Sequence, residues 1–306
     1  MRQKLTTARA SGQRKDPCVC KIDRFRGYTH ENPTDVFIDH PGFRRGKACR
    51  IEKGKRFEPY GRAHWFHSRT SRTKLCIESK PRETWIAPFR ITLYADDRTG
   101  LLPDDVLGAL ELLPGKFKLS LIELAFDFSG PTIDRQFVRH YGLFGRSRRA
   151  QSSDVTDYWG SRRSGKLVKS YTKTEIDAHR VEFEFGSRFL RRNHIDDPFG
   201  FPKFNNLVPR KHFYFAKLDV PKLMDHLRRR GVSREEVSRH LRWLDPSKCN
   251  IGAALAYLRE ELHMTNARRF LIPLRANRFV REALEIWCPK WVRPRHALDE
   301  SSRKKK

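Results

Sequence analysis

The run Leu119-Ser-Leu-Ile-Glu-Leu-Ala-Phe-Asp-Phe128 decides how the chain is to be read. Side chains of a β-strand alternate between two faces. Ile122, Leu124, Phe126 and Phe128 therefore share one face, and Glu123, Ala125 and Asp127 share the other. The first face is apolar and belongs in a core. The second carries two carboxylates with a small residue between them. Two later runs repeat the design. In Arg180-Val-Glu-Phe-Glu-Phe185 the apolar face holds Val181, Phe183 and Phe185, and the polar face holds Arg180, Glu182 and Glu184. In Leu167-Val-Lys-Ser-Tyr-Thr-Lys173, Lys169, Tyr171 and Lys173 lie together. Thr174–His179 is short enough for a hairpin, which makes these two runs antiparallel neighbours. If Leu119–Phe128 joins the same sheet, four carboxylates, a tyrosine and several cations converge. Clustered carboxylates repel unless positive charge sits among them. A hard divalent cation held by Asp and Glu oxygens is one answer. Cross-strand pairs with Lys and Arg on a half-exposed sheet face are the other.

Working outward, further strand-like runs are Cys18–Phe25, Arg62–Ser68, Lys74–Glu78, Phe89–Tyr94 and His212–Lys217, with helices expected at Pro103–Leu112 and Ile133–Phe144. No internal repeat is visible in the residues. From Val220 the pattern turns helical. Pro221–Arg230 is closed by Gly231, and Ser233 with Glu236 forms a capping box for a helix running to about Leu244. Asn250–Leu262 and Ala276–Trp287 follow. The expected fold is α+β: an antiparallel sheet with flanking helices over residues 18–219 and a small C-terminal helical domain over 220–295. A basic arm (1–17) and a basic tail (296–306) are expected to be disordered.

The chain has 306 residues, with 64 Lys and Arg against 36 Asp and Glu, a formal net charge of +28. Folding does not need this imbalance. The imbalance does favour a polyanionic partner, because each phosphate neutralised releases condensed counterions; a merely soluble basic protein is the plainer alternative. An anionic membrane surface would share that preference. No apolar run approaches the ~20 residues of a membrane-spanning helix. Met1–Asp16 is basic and polar, unlike a secretory signal. A cytoplasmic protein without membrane partners is expected, its six cysteines reduced. Cys18 and Cys20 have no second close pair for a zinc site. Basic clusters at Arg146–Arg149, Arg188–Arg192 and Arg228–Arg230 are either phosphate contacts or solvated faces. The Arg228–Leu241 segment has helix-turn-helix cadence. Trp65, Trp85 and Trp159 either stack on unpaired bases or serve the core.

The segment Tyr158-Trp-Gly-Ser-Arg-Arg-Ser-Gly-Lys-Leu-Val-Lys-Ser-Tyr-Thr-Lys173, then Arg180-Val-Glu-Phe-Glu184, resembles the replication initiation factors of plasmids and filamentous phages. Those carry an aromatic-x-Gly-Ser-Arg-x-Ser opening, a strand ending Tyr-x-Lys, and Arg-Val-Glu-x-Glu. Ile122-Glu-Leu-Ala-Phe-Asp127 resembles their acidic strand. The similarity spans roughly residues 119–190. It implies a rolling-circle initiator related to conjugative relaxases, with a Rep/relaxase-like fold, nicking and rejoining one DNA strand through a 5′-phosphotyrosine. The C-terminal helices have no counterpart in it. His64-Trp-Phe-His67 does not make the paired-histidine metal motif of related endonucleases, since a spacing of three sends the rings to opposite faces.

On this resemblance Tyr171 is the nucleophile, and Lys169 and Lys173 lower its pKa and screen the phosphate. Arg180 holds a non-bridging oxygen. Mg²⁺ or Mn²⁺ sits on Asp127, Glu182, and Glu123 or Glu184. Arg162, Arg163 and Lys166, in the loop before the tyrosine strand, guide the DNA backbone. His179 is either a further ligand or base or a solvated turn residue. The expected partners are single-stranded or extruded origin DNA and a host helicase. Two alternatives stand beside this: a non-catalytic nucleic-acid-binding replication accessory protein, and an initiator that has kept its sheet but lost its chemistry.

Overall fold

The computed structural model describes residues 18–50, 59–96, 117–144, 149–196, 213–245 and 249–287. The expected arm, tail, Pro103–Leu112 helix and the Arg146–Arg148 part of a basic cluster lie outside them. The chain is α+β. Ten antiparallel strands form one sheet: β1 (Cys18–Thr29), β2 (Phe43–Arg50), β3 (Tyr60–Ser68), β4 (Lys74–Pro81), β5 (Phe89–Tyr94), β6 (Lys118–Ser129), β8 (Arg149–Ser152), β9 (Thr156–Ser161), β10 (Lys166–Lys173) and β11 (Ala178–Gly186). A second, three-stranded sheet holds β7 (Gly142–Leu143), β12 (Tyr214–Leu218) and β13 (Leu271–Pro273). The helices are α1 (Thr34–Ile38), α2 (Arg135–Tyr141), α3 (Ser187–Arg192), α4 (Val220–Arg229), α5 (Arg234–Trp243), α6 (Ile251–Glu260) and α7 (Ala276–Trp287).

The strand order of the large sheet is β2-β3-β4-β5-β1-β6-β11-β10-β9-β8. It reads alike from either end. In each half a twelve-residue strand (β1 or β6) is followed by a short helix and a four-stranded meander. The last strand of each meander returns to pair with the long one, and the halves join through β1 and β6. The topology thus contains an internal repeat where the residues show none. The reason is visible in the pairing. A meander asks only for alternation and turns, which many unrelated sequences supply.

One face of the sheet is apolar. Ile122, Leu124, Phe126, Phe128, Val181, Phe183 and Phe185 are all buried there, packed with Phe213, just before β12, and Phe215 within it. Helices α2, α3 and α7 cover this face, contributing Val138, Leu190, and Ala276, Val280, Ala283 and Leu284. The last helix, read from sequence as part of a C-terminal helical domain, therefore packs with the sheet's core. Helices α4, α5 and α6 close a second core around Leu223, Leu227, Val237, Leu255 and Leu258. The capping box forms as read: Ser233 Oγ accepts from the Glu236 N–H, and the Glu236 carboxylate accepts from the Ser233 N–H.

Candidate active site

The polar face of the sheet is set by register. Tyr171 faces Arg180, and Arg180 faces Asp127. Lys169 faces Glu182, which faces Ala125, which faces Lys21. Glu184 faces Glu123, which faces Arg24. A bulge in β1 at Asp23 makes the last step possible. Simple alternation puts Lys21 and Asp23 on one face and Arg24 on the other. The extra residue returns Arg24 to the polar face, and the Asp23 carboxylate reaches Arg180.

Two charge clusters result. In the first, Tyr171 donates its hydroxyl hydrogen to Glu182 Oε2 at 2.8 Å, and Lys169 Nζ donates to Glu182 Oε1 at 2.6 Å. The same ammonium lies 3.9 Å from Glu123 and 3.7 Å from Glu184. Arg24 forks onto Glu123, and Arg162 forks onto Glu184 at 2.9 and 3.3 Å. Burial pushes the Glu123 carboxyl upward, and this outweighs Arg24. Burial lowers the Lys169 ammonium, but the glutamates around it raise it overall.

In the second cluster Arg180, fully buried, grips Asp127 through Nε and Nη2 at 2.6 and 2.9 Å and reaches Asp23 through Nη1 at 3.0 Å. Lys21 Nζ lies 2.8 Å from Asp127. Burial alone would raise the Asp127 carboxyl, but Arg180 and Lys21 hold it below its ordinary value.

The four carboxylates therefore do not form one ligand set. Asp127 and Glu123 are four residues apart along one strand, about 13 Å, and belong to different clusters. Glu123, Glu182 and Glu184 already surround the Lys169 ammonium. Among the described residues no three Asp, Glu, His or Cys side chains are grouped to hold a metal ion. Each of the four carboxylates is paired with a Lys or Arg side chain.

Several expected roles change. The Tyr171 phenol is pushed up from its ordinary value, first by burial and then by the Glu182 charge, with Arg180 pulling the other way. Lys169 is spent on the glutamates and does not make the phenol acidic. Lys173 lies on the same face, and the register sets it opposite Ala178. Arg180, expected to clamp a phosphate, is fully buried and spends its Nε, Nη1 and Nη2 on two aspartates. Lys166 is on the apolar face, donating to the Phe144 carbonyl at 2.6 Å, and burial lowers it to about 8. It is withdrawn as a backbone contact. Arg162 and Arg163 are exposed in the loop, as a guiding role requires.

His179 is neither a solvated turn residue nor a partner of the acids. It is buried on the apolar face, 2.7 Å from Ser170 Oγ, and burial lowers it to about 4. Trp159 is in the core against Phe144, whereas Trp85 is exposed and Trp65 is part-exposed. The contribution of Lys21, Asp23 and Arg24 was not readable, because the bulge leaves no mark in the pattern Lys21-Ile-Asp-Arg24. The search for relatives is negative on both counts: no known protein family matches this chain, and no curated protein does.

Proposed function

We propose that the protein is a cytoplasmic rolling-circle replication initiator that nicks and rejoins one DNA strand through Tyr171. The observation that carries this is the hydrogen bond from the Tyr171 hydroxyl to Glu182, on a part-exposed face rimmed by Arg24, Lys169 and Arg162. A nucleophile held against a base, with the base oriented by a third group, is the general pattern of covalent catalysis. Since burial and Glu182 keep the phenol protonated near neutral pH, activation falls to Glu182 as general base. The phenolic oxygen bonds to phosphorus as its proton passes to Glu182. The bond to the 3′ oxygen breaks, and that oxygen takes a proton from solvent water to leave a free 3′-hydroxyl. One phosphodiester replaces another, so the step reverses without a nucleotide cofactor. Arg162 and Arg163 steer the backbone, α4–α5 is a candidate for duplex recognition at the origin, and a host helicase is the implied further partner.

The test is a labelled single-stranded oligonucleotide with the full chain on a denaturing gel. Tyr171→Phe should abolish the covalent adduct and leave affinity nearly intact. Glu182→Gln should slow adduct formation by about 10²–10⁴-fold, with recovery at higher pH. An adduct formed by Tyr171→Phe would defeat the assignment. Mg²⁺ or Mn²⁺ is an arm of the same test: loss with chelator and return with metal would mean that Lys169 gives up its place among the glutamates.

A second reading has an observation of its own. The carboxylates of the polar face are paired with side-chain cations, as a purely structural network would have them. A non-catalytic nucleic-acid-binding accessory protein fits that, and predicts salt-sensitive binding with no adduct.

A further inference from the structure

The two halves of the large sheet are not equivalent on their polar face. The axis relating them passes through the facing pair Arg24 and Glu123. Followed outward through equal steps, Arg24, Arg26 and Tyr28 stand where Glu123, Ala125 and Asp127 stand. Tyr94, Thr92 and Arg90 take the places of Glu184, Glu182 and Arg180, and Lys74, Cys76 and Glu78 those of Leu167, Lys169 and Tyr171. Three of the acids, Glu123, Asp127 and Glu184, correspond to Arg24, Tyr28 and Tyr94, and the fourth, Glu182, to Thr92.

Arg26 is the centre of that second half. Its Nε donates to Thr92 Oγ1 at 3.2 Å, and among the described residues no carboxylate pairs with it. Its neighbours are guanidiniums with partners of their own: Arg24 on Glu123, and Arg90 on Glu78 with its head over the Tyr60 ring. Burial, then Arg90 and Arg24, lower the proton affinity of Arg26. Beside it Trp65 stacks on Tyr94, ring centroids 5.9 Å apart and planes 27° from parallel, both rings part-exposed. An acidic peptide would answer the charge and leave the flat rings unused. A nucleotide answers both, since a phosphate takes the guanidinium fork and a base takes the ring face.

We infer that Arg26 and the Trp65–Tyr94 pair form a second subsite for single-stranded nucleic acid, Arg26 taking a backbone phosphate and the ring pair a base. Three inter-strand steps and six residues along the strands separate Arg26 from Tyr171, roughly 25 Å. The same strand can occupy both places. The inference rests on the nucleic-acid reading above, not on strand cutting.

The test uses the full chain carrying Tyr171→Phe, so that fluorescence anisotropy of a labelled oligothymidylate reports binding alone. Adding Arg26→Gln should reduce the slope of log affinity against log salt by about 0.7, one phosphate contact on a single strand. Adding Trp65→Leu should weaken binding about tenfold, and much less for an abasic strand of equal length. Trp65→Phe should keep most of the affinity. Unchanged affinity and slope in both variants overturns the subsite while leaving the wider reading intact. Equal losses with the abasic strand, or with duplex, overturn it too. If Trp65→Leu does not fold, an unchanged slope with Arg26→Gln decides against it. A parent chain that binds no single strand defeats the wider reading and the subsite together.

Discussion

Asp127 accepts hydrogen bonds from a fully buried arginine and lies beside a buried lysine, so its charge is what those two cations are folded around. Removing one partner from such a set leaves uncompensated charge in the interior. Asp127→Asn should therefore cost about 3–5 kcal/mol of stability, read as a lower urea midpoint at unchanged slope. A loss near zero would mean that Asp23 alone suffices for Arg180. On the other face His179 is held neutral, its value lowered to about 4 by burial, with Asp134 and Asp157 opposing and Arg135 assisting. In the unfolded chain imidazole takes its proton near 6.5. The unfolded state then binds more protons between these values. The stabilisation from a neutral His179 is fully present above about 6.5 and is lost as pH falls towards about 4. The unfolding temperature should drop across that window, and less steeply in His179→Gln.

Elements were legible where one local signal determined them. The strand over Phe89–Tyr94 and the helix over Ala276–Trp287 have the bounds their periodicity suggests, and the expected long strand gains one residue at each end. Strand β9 and helix α1 were not expected. The Thr156–Ser161 run had been assigned no element, and α1 is a single turn without a side-chain cap. Of the site, the faces of Glu123, Asp127, Tyr171, Lys169 and Glu182 followed from alternation. Their partition into two clusters did not, because it depends on the β1 bulge and on which cation reaches which acid. The loop that offers Arg162 and Arg163 is locked by Gly165, at φ +82°, where a Cβ would lie 2.7 Å from the Phe189 nitrogen. Gly165→Ala should cost about 1–3 kcal/mol in thermal unfolding, and should also weaken oligonucleotide binding by disturbing the loop. Undiminished stability would show that α3 yields easily.

The whole chain carries a net charge of +28, yet around Asp127, Glu182 and Glu184 the polar face of the sheet is largely neutralised within itself. Much of the excess lies elsewhere, as on β2, an edge strand with Arg44, Arg45 and Lys47 exposed. Such charges discourage edge-to-edge association with another sheet. They also remain available to phosphates. Affinity for nucleic acid should fall linearly on logarithmic axes as salt rises, each phosphate contact on a single strand contributing about −0.7 to the slope. A flat titration would show that the excess charge has no polyanion to meet. None of the described helices is long and apolar enough to cross a membrane.

The palindromic strand order has one more consequence. A nucleic-acid chain has direction, whereas two halves related by a two-fold axis meet anything laid across them from opposite ends. Identical halves would be obliged to handle 5′ and 3′ neighbours in the same way. Because Arg26 stands where Ala125 stands, and Thr92 where Glu182 stands, a strand laid across the sheet would meet a different surface at each end.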